Sequence, residues 1–255
     1  MAWPRVQDNR ILAALLSSLA ALAWYALWLG EKTPFGHMLL HFHSGHHMPM
    51  AASGWTLALA FVVGWTLMTI AMMLPTSSPM ILLFQRMVSA RPGANGLVAL
   101  LIVGYLWVWI AFGAVVYLLS RAVQSVVAGV PWAVEHAWVG GAVILLGAGL
   151  FQFSSLKYAC LDKCRSPMSF LVERWRGARP AKEALRLGID HGIYCVGCCW
   201  SLMLVMMAVG TSSLAWMLGL ALVMAVEKNF SWGRRLSAPV GVALIAGAGV
   251  LILQA

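Results

Sequence analysis

Seven stretches of this chain run on with almost no charge, and that recurrence limits the fold more than any motif does. They lie at 11–29, 55–84, 97–120, 138–158, 189–209, 214–226 and 239–253. A helix needs about 20 mostly apolar residues to cross a bilayer. The whole sequence is 62% hydrophobic and 10% charged, whereas a soluble domain carries about a quarter charged residues. The reading is an all-α polytopic membrane bundle of about seven transmembrane helices, forming one domain over residues 1–255. The first stretch follows Arg5 and Arg10 and resembles a signal peptide in its Ala and Leu content. Its length, with Trp24 and Trp28, favours a retained helix. Pro75 and Pro79 are expected to interrupt the second helix.

The basic residues divide unevenly between the two sides that such a bundle creates. Fifteen of the 17 Lys and Arg fall on one side, and only Lys32 and Arg121 fall on the other. By the positive-inside rule the first side is cytoplasmic, with the N-terminus inside and the C-terminus outside. This places a basic segment, 157–188, in the cytoplasm and a loop at 30–54 outside. The expected location is a bacterial inner membrane. The net charge of +9 is met by topology and anionic lipid, so no nucleic acid is needed as a partner.

Three groups of side chains carry candidate chemistry. The outer loop holds five of the seven histidines within eleven residues. His41, His43, His46 and His47, with Met48 and Met50 just beyond, are candidate metal ligands. Imidazole suits copper, zinc and nickel, and thioether favours Cu(I), so the mixture points to copper. A polar loop with incidental histidines is the plainer alternative. In the second stretch Met72, Met73 and Met80 surround the two prolines. A broken helix lined with thioethers would make a soft-metal path, while methionine filling gaps in a kinked helix is the competing reading.

The third group is the cysteines. Cys160 and Cys164 stand one helical turn apart, as do Cys195 and Cys198, and Cys199 turns away from Cys198 by about 100°. The fourth stretch ends and the fifth begins at one membrane level, so the two cysteine groups are expected to meet at the inner face. Thiols are kept reduced there, which argues against structural disulfides. Converging thiolates would suit zinc, Cu(I) or an iron–sulfur cluster. Lys157, Lys163 and Arg165 are near in sequence and are expected to favour thiolate. Small apolar packing is the alternative for free cysteine. Glu227-Lys228 and Asp190-His191 lie near span ends, where local pairing or snorkelling accounts for them as well as function does. The chain has no P-loop, GxSxG or HExxH pattern, so ATP-driven pumping and ordinary hydrolysis have no support.

Four pieces in order carry a family resemblance. They are Met72-Met73-Leu74-Pro75 with Pro79-Met80; Cys160 and Cys164-Arg165-Ser166-Pro167 with Phe170-Leu171; Cys195-Val196-Gly197-Cys198-Cys199-Trp200 with Leu202-Met203; and Glu227-Lys228. Together they resemble an uncharacterised bacterial family of predicted metal-binding integral membrane proteins, over about residues 55 to 230. The resemblance implies a multi-span fold with metal ligation at the cysteines and methionines, and no particular reaction. The expected function is binding and handling or transfer of a soft metal, copper first, with zinc or iron as other possibilities. A periplasmic metal-binding protein or a partner membrane subunit would be the partner, beside the bilayer itself. The rivals are a membrane metal-dependent oxidoreductase and thiol–disulfide exchange prompted by Cys195-x-x-Cys198. The cytoplasmic placement of the thiols counts against the second.

Overall fold

The computed structural model describes residues 6–32, 54–136, 138–209 and 214–254. Among them all extended regular structure is helical: α1 (Val6–Glu31), α2 (Gly54–Val88), α3 (Ala94–Ala128), the short α4 (Pro131–Glu135), α5 (Trp138–Phe151), α6 (Ser155–Arg165), α7 (Pro167–Arg174), α8 (Pro180–Val209), α9 (Leu214–Asn229) and α10 (Ser237–Leu253). A 3-10 turn, Gly233–Leu236, joins the last two. Five helical segments are long and apolar enough to cross a bilayer, and a sixth counts if α5 and α6 act as one bent span. Against the seven expected, α9 has 16 residues, about 24 Å of helix, which is short for a hydrocarbon core of about 30 Å.

Two expectations change here. The fourth span is not one rod: α5 and α6 meet at a 64° bend. The turn is built by Ser154, whose extended backbone starts α6 and whose hydroxyl accepts from the Lys157 N–H at 3.1 Å, as an N-cap does. Conversely, the proline-bearing second span is one continuous helix of 35 residues. Each proline orphans the carbonyl four residues before it, and each orphan has a donor. The Trp24 indole donates to the Ala71 carbonyl at 3.1 Å, and the Ser78 hydroxyl donates to the Pro75 carbonyl at 2.7 Å. With both satisfied, the helix persists, as membrane helices permit.

The basic segment before α8 is helical as well. Pro180 opens α8, and the Glu183 carboxylate reaches back to accept from the N–H groups of Arg176, Gly177, Ala178 and Arg179 at 2.6 to 3.0 Å. That is the reciprocal half of a capping box, so the helix starts nine residues before the apolar run. It packs most extensively on α3. A Cβ at Gly188 would run into the Leu101 carbonyl and stand 3.0 Å from the Tyr105 nitrogen, so glycine lets the two backbones approach. α1 lies along α2, α5 pairs with α10, and α6 and α9 close the other sides of α8 and α2.

The core is apolar, and so is much of the outer surface. Trp107, Leu118 and Leu222 lie more than 60% exposed, while Lys157, His191, Glu227 and Lys228 are buried. Apolar faces outward and ionisable groups inward is the distribution that hydrocarbon surroundings favour.

Candidate metal centre

Lys228 occupies the middle of the most unusual environment in the molecule. It extends from the last turn of α9 into the gap between α2 and α8. Its ammonium lies 3.0 Å from Cys195 Sγ, 3.7 Å from Cys199 Sγ, 3.5 Å from Met73 Sδ and 3.4 Å from Thr76 Oγ1. Cys199 and Met73 also touch each other, Sγ to Sδ, at 3.8 Å. The Tyr105 hydroxyl from α3 stands 3.1 Å from Cys195 Sγ and within 3.3 Å of the Met73 carbonyl. Two thiols and a thioether thus surround one cation, and all of these side chains are buried.

The helical register explains which thiols gather there. Residues four apart differ by about 40° around a helix and residues three apart by about 60°. Cys195 is therefore paired by Cys199, and Cys198 turns toward α6. On that side Cys198 lies against Cys164, while its thiol donates to the Cys195 carbonyl at 3.1 Å. Cys160 packs on Gly197, where a Cβ would lie 2.6 Å from its sulfur, so the glycine between the cysteines admits α6. The two cysteine groups do meet. Cys198 lies against Cys164, Cys195 and Cys199, and Cys199 lies against Cys195. Among the described residues no three or more His, Cys, Asp or Glu side chains are arranged to hold one ion. The soft set is completed by a thioether, which is the ligand chemistry of Cu(I) and not of zinc.

The cations expected to serve the thiols are engaged elsewhere. Lys157 donates to both carboxylate oxygens of Glu227, at 2.8 and 2.9 Å, and to the Gln152 side-chain oxygen. The Ser237 hydroxyl donates to the same carboxylate at 2.7 Å. Arg165 donates to the carbonyls of Glu227 and Ser231 at 2.6 and 2.7 Å, covering the open C-terminal end of α9. Lys163 pairs with Glu173. These bonds anchor α9 at the residue before Lys228 and so aim its side chain at the sulfurs.

Beside the cluster lies a cavity of about 170 Å³, lined by Met80, Cys164, His191, Cys195 and Lys228 among others. Cys164 is part-exposed at its edge. His191 is buried, with its ring nitrogen 3.3 Å from the Ser77 hydroxyl, and Asp190 pairs with Arg174 at 3.1 Å. Met72 is buried in the core; the sulfur that joins the cluster is that of Met73. The candidate ligands His41, His43, His46, His47, Met48 and Met50 lie outside the described residues. Sequence reasoning missed the parts played by Tyr105 and Thr76. The available signal was a hydroxyl or ring in an apolar run, which must find a polar partner.

A family model described as PpoB2, copper chaperone, matches residues 62–252 of the 255. The match takes in Met72, Met73 and Met80, all five cysteines and Lys228. No curated protein and no solved structure matches the chain.

Proposed function

The chain belongs to the PpoB2 copper chaperone family, and from that premise we propose that it carries copper as cargo inside a bacterial inner membrane. The observation that carries this reading is the convergence of Cys195, Cys199 and Met73 on one buried position already filled by a cation. Cu(I) is the soft ion that such a donor set takes. The family's description names copper, and neither zinc nor iron.

Copper is passed from sulfur to sulfur. Cys164, at the cavity's edge, is the receiving or releasing thiol, and Cys198 links it to Cys195. The outer histidines and Met48 and Met50 serve as a capture or delivery site on the opposite face. A periplasmic metal-binding protein or a partner membrane subunit exchanges the ion there. The five long apolar segments and the outward apolar faces support a membrane setting. The uneven basic charge supports an inside N-terminus and, if α9 crosses, an outside C-terminus.

The test is an anaerobic titration of the purified full chain in detergent against a chromogenic Cu(I) chelator. The intact protein is expected to withhold Cu(I), and Cys195→Ser with Cys199→Ser to lose that ion while keeping its unfolding transition. Equal retention by the double variant would place the copper elsewhere.

A further inference from the structure

We infer that Lys228 is the counter-cation of the copper site and sets its preference for a monovalent over a divalent ion. This rests on the proposed copper reading and deepens it. Among the described residues Lys228 has no carboxylate partner: the neighbouring acid, Glu227, is taken by Lys157. What faces the ammonium is the sulfur set, with Thr76 and, at one remove through Cys195, the Tyr105 hydroxyl.

The charges close when the ion is bound. As Cu(I) enters, two Cu–S bonds form, to Cys195 and Cys199. Each S–H bond that remains breaks as its Cu–S bond forms, the proton passes to water, and no electron moves. One copper charge, two thiolates and one ammonium sum to zero. The ammonium gives up its hydrogen bonds to sulfur, for which the adjoining cavity of about 170 Å³ has room, and stays as the balancing charge. A divalent soft ion on the same two thiolates is already neutral, so the ammonium would leave the buried site with a net positive charge. Uncompensated buried charge is costly. The same residue therefore favours Cu(I) or Ag(I) and penalises Cd(II).

Replacing Lys228 should invert this. In Lys228→Met the copper bis-thiolate becomes a buried anion, and Cu(I) and Ag(I) affinity should fall by roughly a hundredfold. Cd(II) affinity should hold or rise. Lys228→Arg, which keeps the charge, should keep the wild-type order. The measurement is competition of Ag(I), Cu(I) and Cd(II) for the full chain in detergent at one pH. A second measurement needs no variant: relative to a small free dithiol, the wild-type protein should shift the Ag(I) to Cd(II) preference toward Ag(I). Parallel loss of all three ions in Lys228→Met would reduce Lys228 to a structural part and overturn the inference. So would no shift in the wild-type comparison. If the wild-type chain binds no Cu(I), the copper reading falls and the inference with it. If it binds Cu(I) and the ion preference ignores Lys228, the inference alone falls.

Discussion

Changing Glu227→Gln tests how the site is held, because it removes one charge and almost no volume. Lys157 and Glu227 are 0% and 2% exposed and 2.8 Å apart. Glutamine keeps an oxygen to accept from Ser237 but leaves the Lys157 ammonium unbalanced. Removing one partner of a buried ion pair costs about 3–5 kcal/mol, while removing both often costs little. For a chain of this size about 3 kcal/mol lowers the unfolding midpoint by roughly 10 °C. The assay is thermal or denaturant unfolding of the detergent-purified protein as a double-mutant cycle. Glu227→Gln and Lys157→Met should each lose about 3 kcal/mol, and the double variant should return to within about 1 kcal/mol of wild type. Ser237→Ala, which deletes one hydrogen bond, should lose only about 1 kcal/mol. Additive losses in the double variant would mean that the pair contributes packing and not charge balance, and that α9 is anchored some other way.

Two further outcomes concern regions on which the proposed function depends. Reporter fusions are expected to place the N-terminus in the cytoplasm and the C-terminus outside; a cytoplasmic C-terminus would mean that one apolar segment, α9 first, does not cross. Replacing His41, His43, His46 and His47 with Ala should lower copper loading from the outer face and leave the buried Cu(I) site intact in detergent. Unchanged loading would leave those histidines as ordinary loop residues.

The long helices were legible because their apolar runs are nearly uninterrupted by charge, and the meeting of the cysteine groups followed from two apolar runs that end and begin at one level. What escaped the sequence depends on a few degrees or on one partner. Cys198 and Cys199 differ by about 100° on the helix, and only packing decides which one faces Met73. The bend after Phe151 hangs on one hydroxyl, Ser154, acting as a cap. The continuity through Pro75 and Pro79 depends on an indole 47 residues away in sequence, Trp24. Lys228 looked like a snorkelling residue at a span end because its neighbour Glu227 seemed the natural partner. The structure gives Glu227 to Lys157 from α6, a residue 70 positions earlier, and no local pattern announces that choice.

The contacting thiols also bear on how an ion moves through so buried a site. A bare monovalent ion in a medium of low dielectric costs tens of kcal/mol by its lost hydration, so diffusion as a free ion is closed. An ion that always keeps one sulfur while acquiring the next never bears that cost. The neighbours Cys164, Cys198, Cys195, Cys199 and Met73 supply such a succession, and Cys164 alone among these five is part-exposed. The consequence is directional. Loss of Cys164 should slow exchange with an outside chelator and leave the buried site's affinity nearly unchanged, whereas loss of Cys199 should lower affinity itself. A chaperone needs that division, since tight holding and ready release cannot both be properties of the same pair of sulfurs.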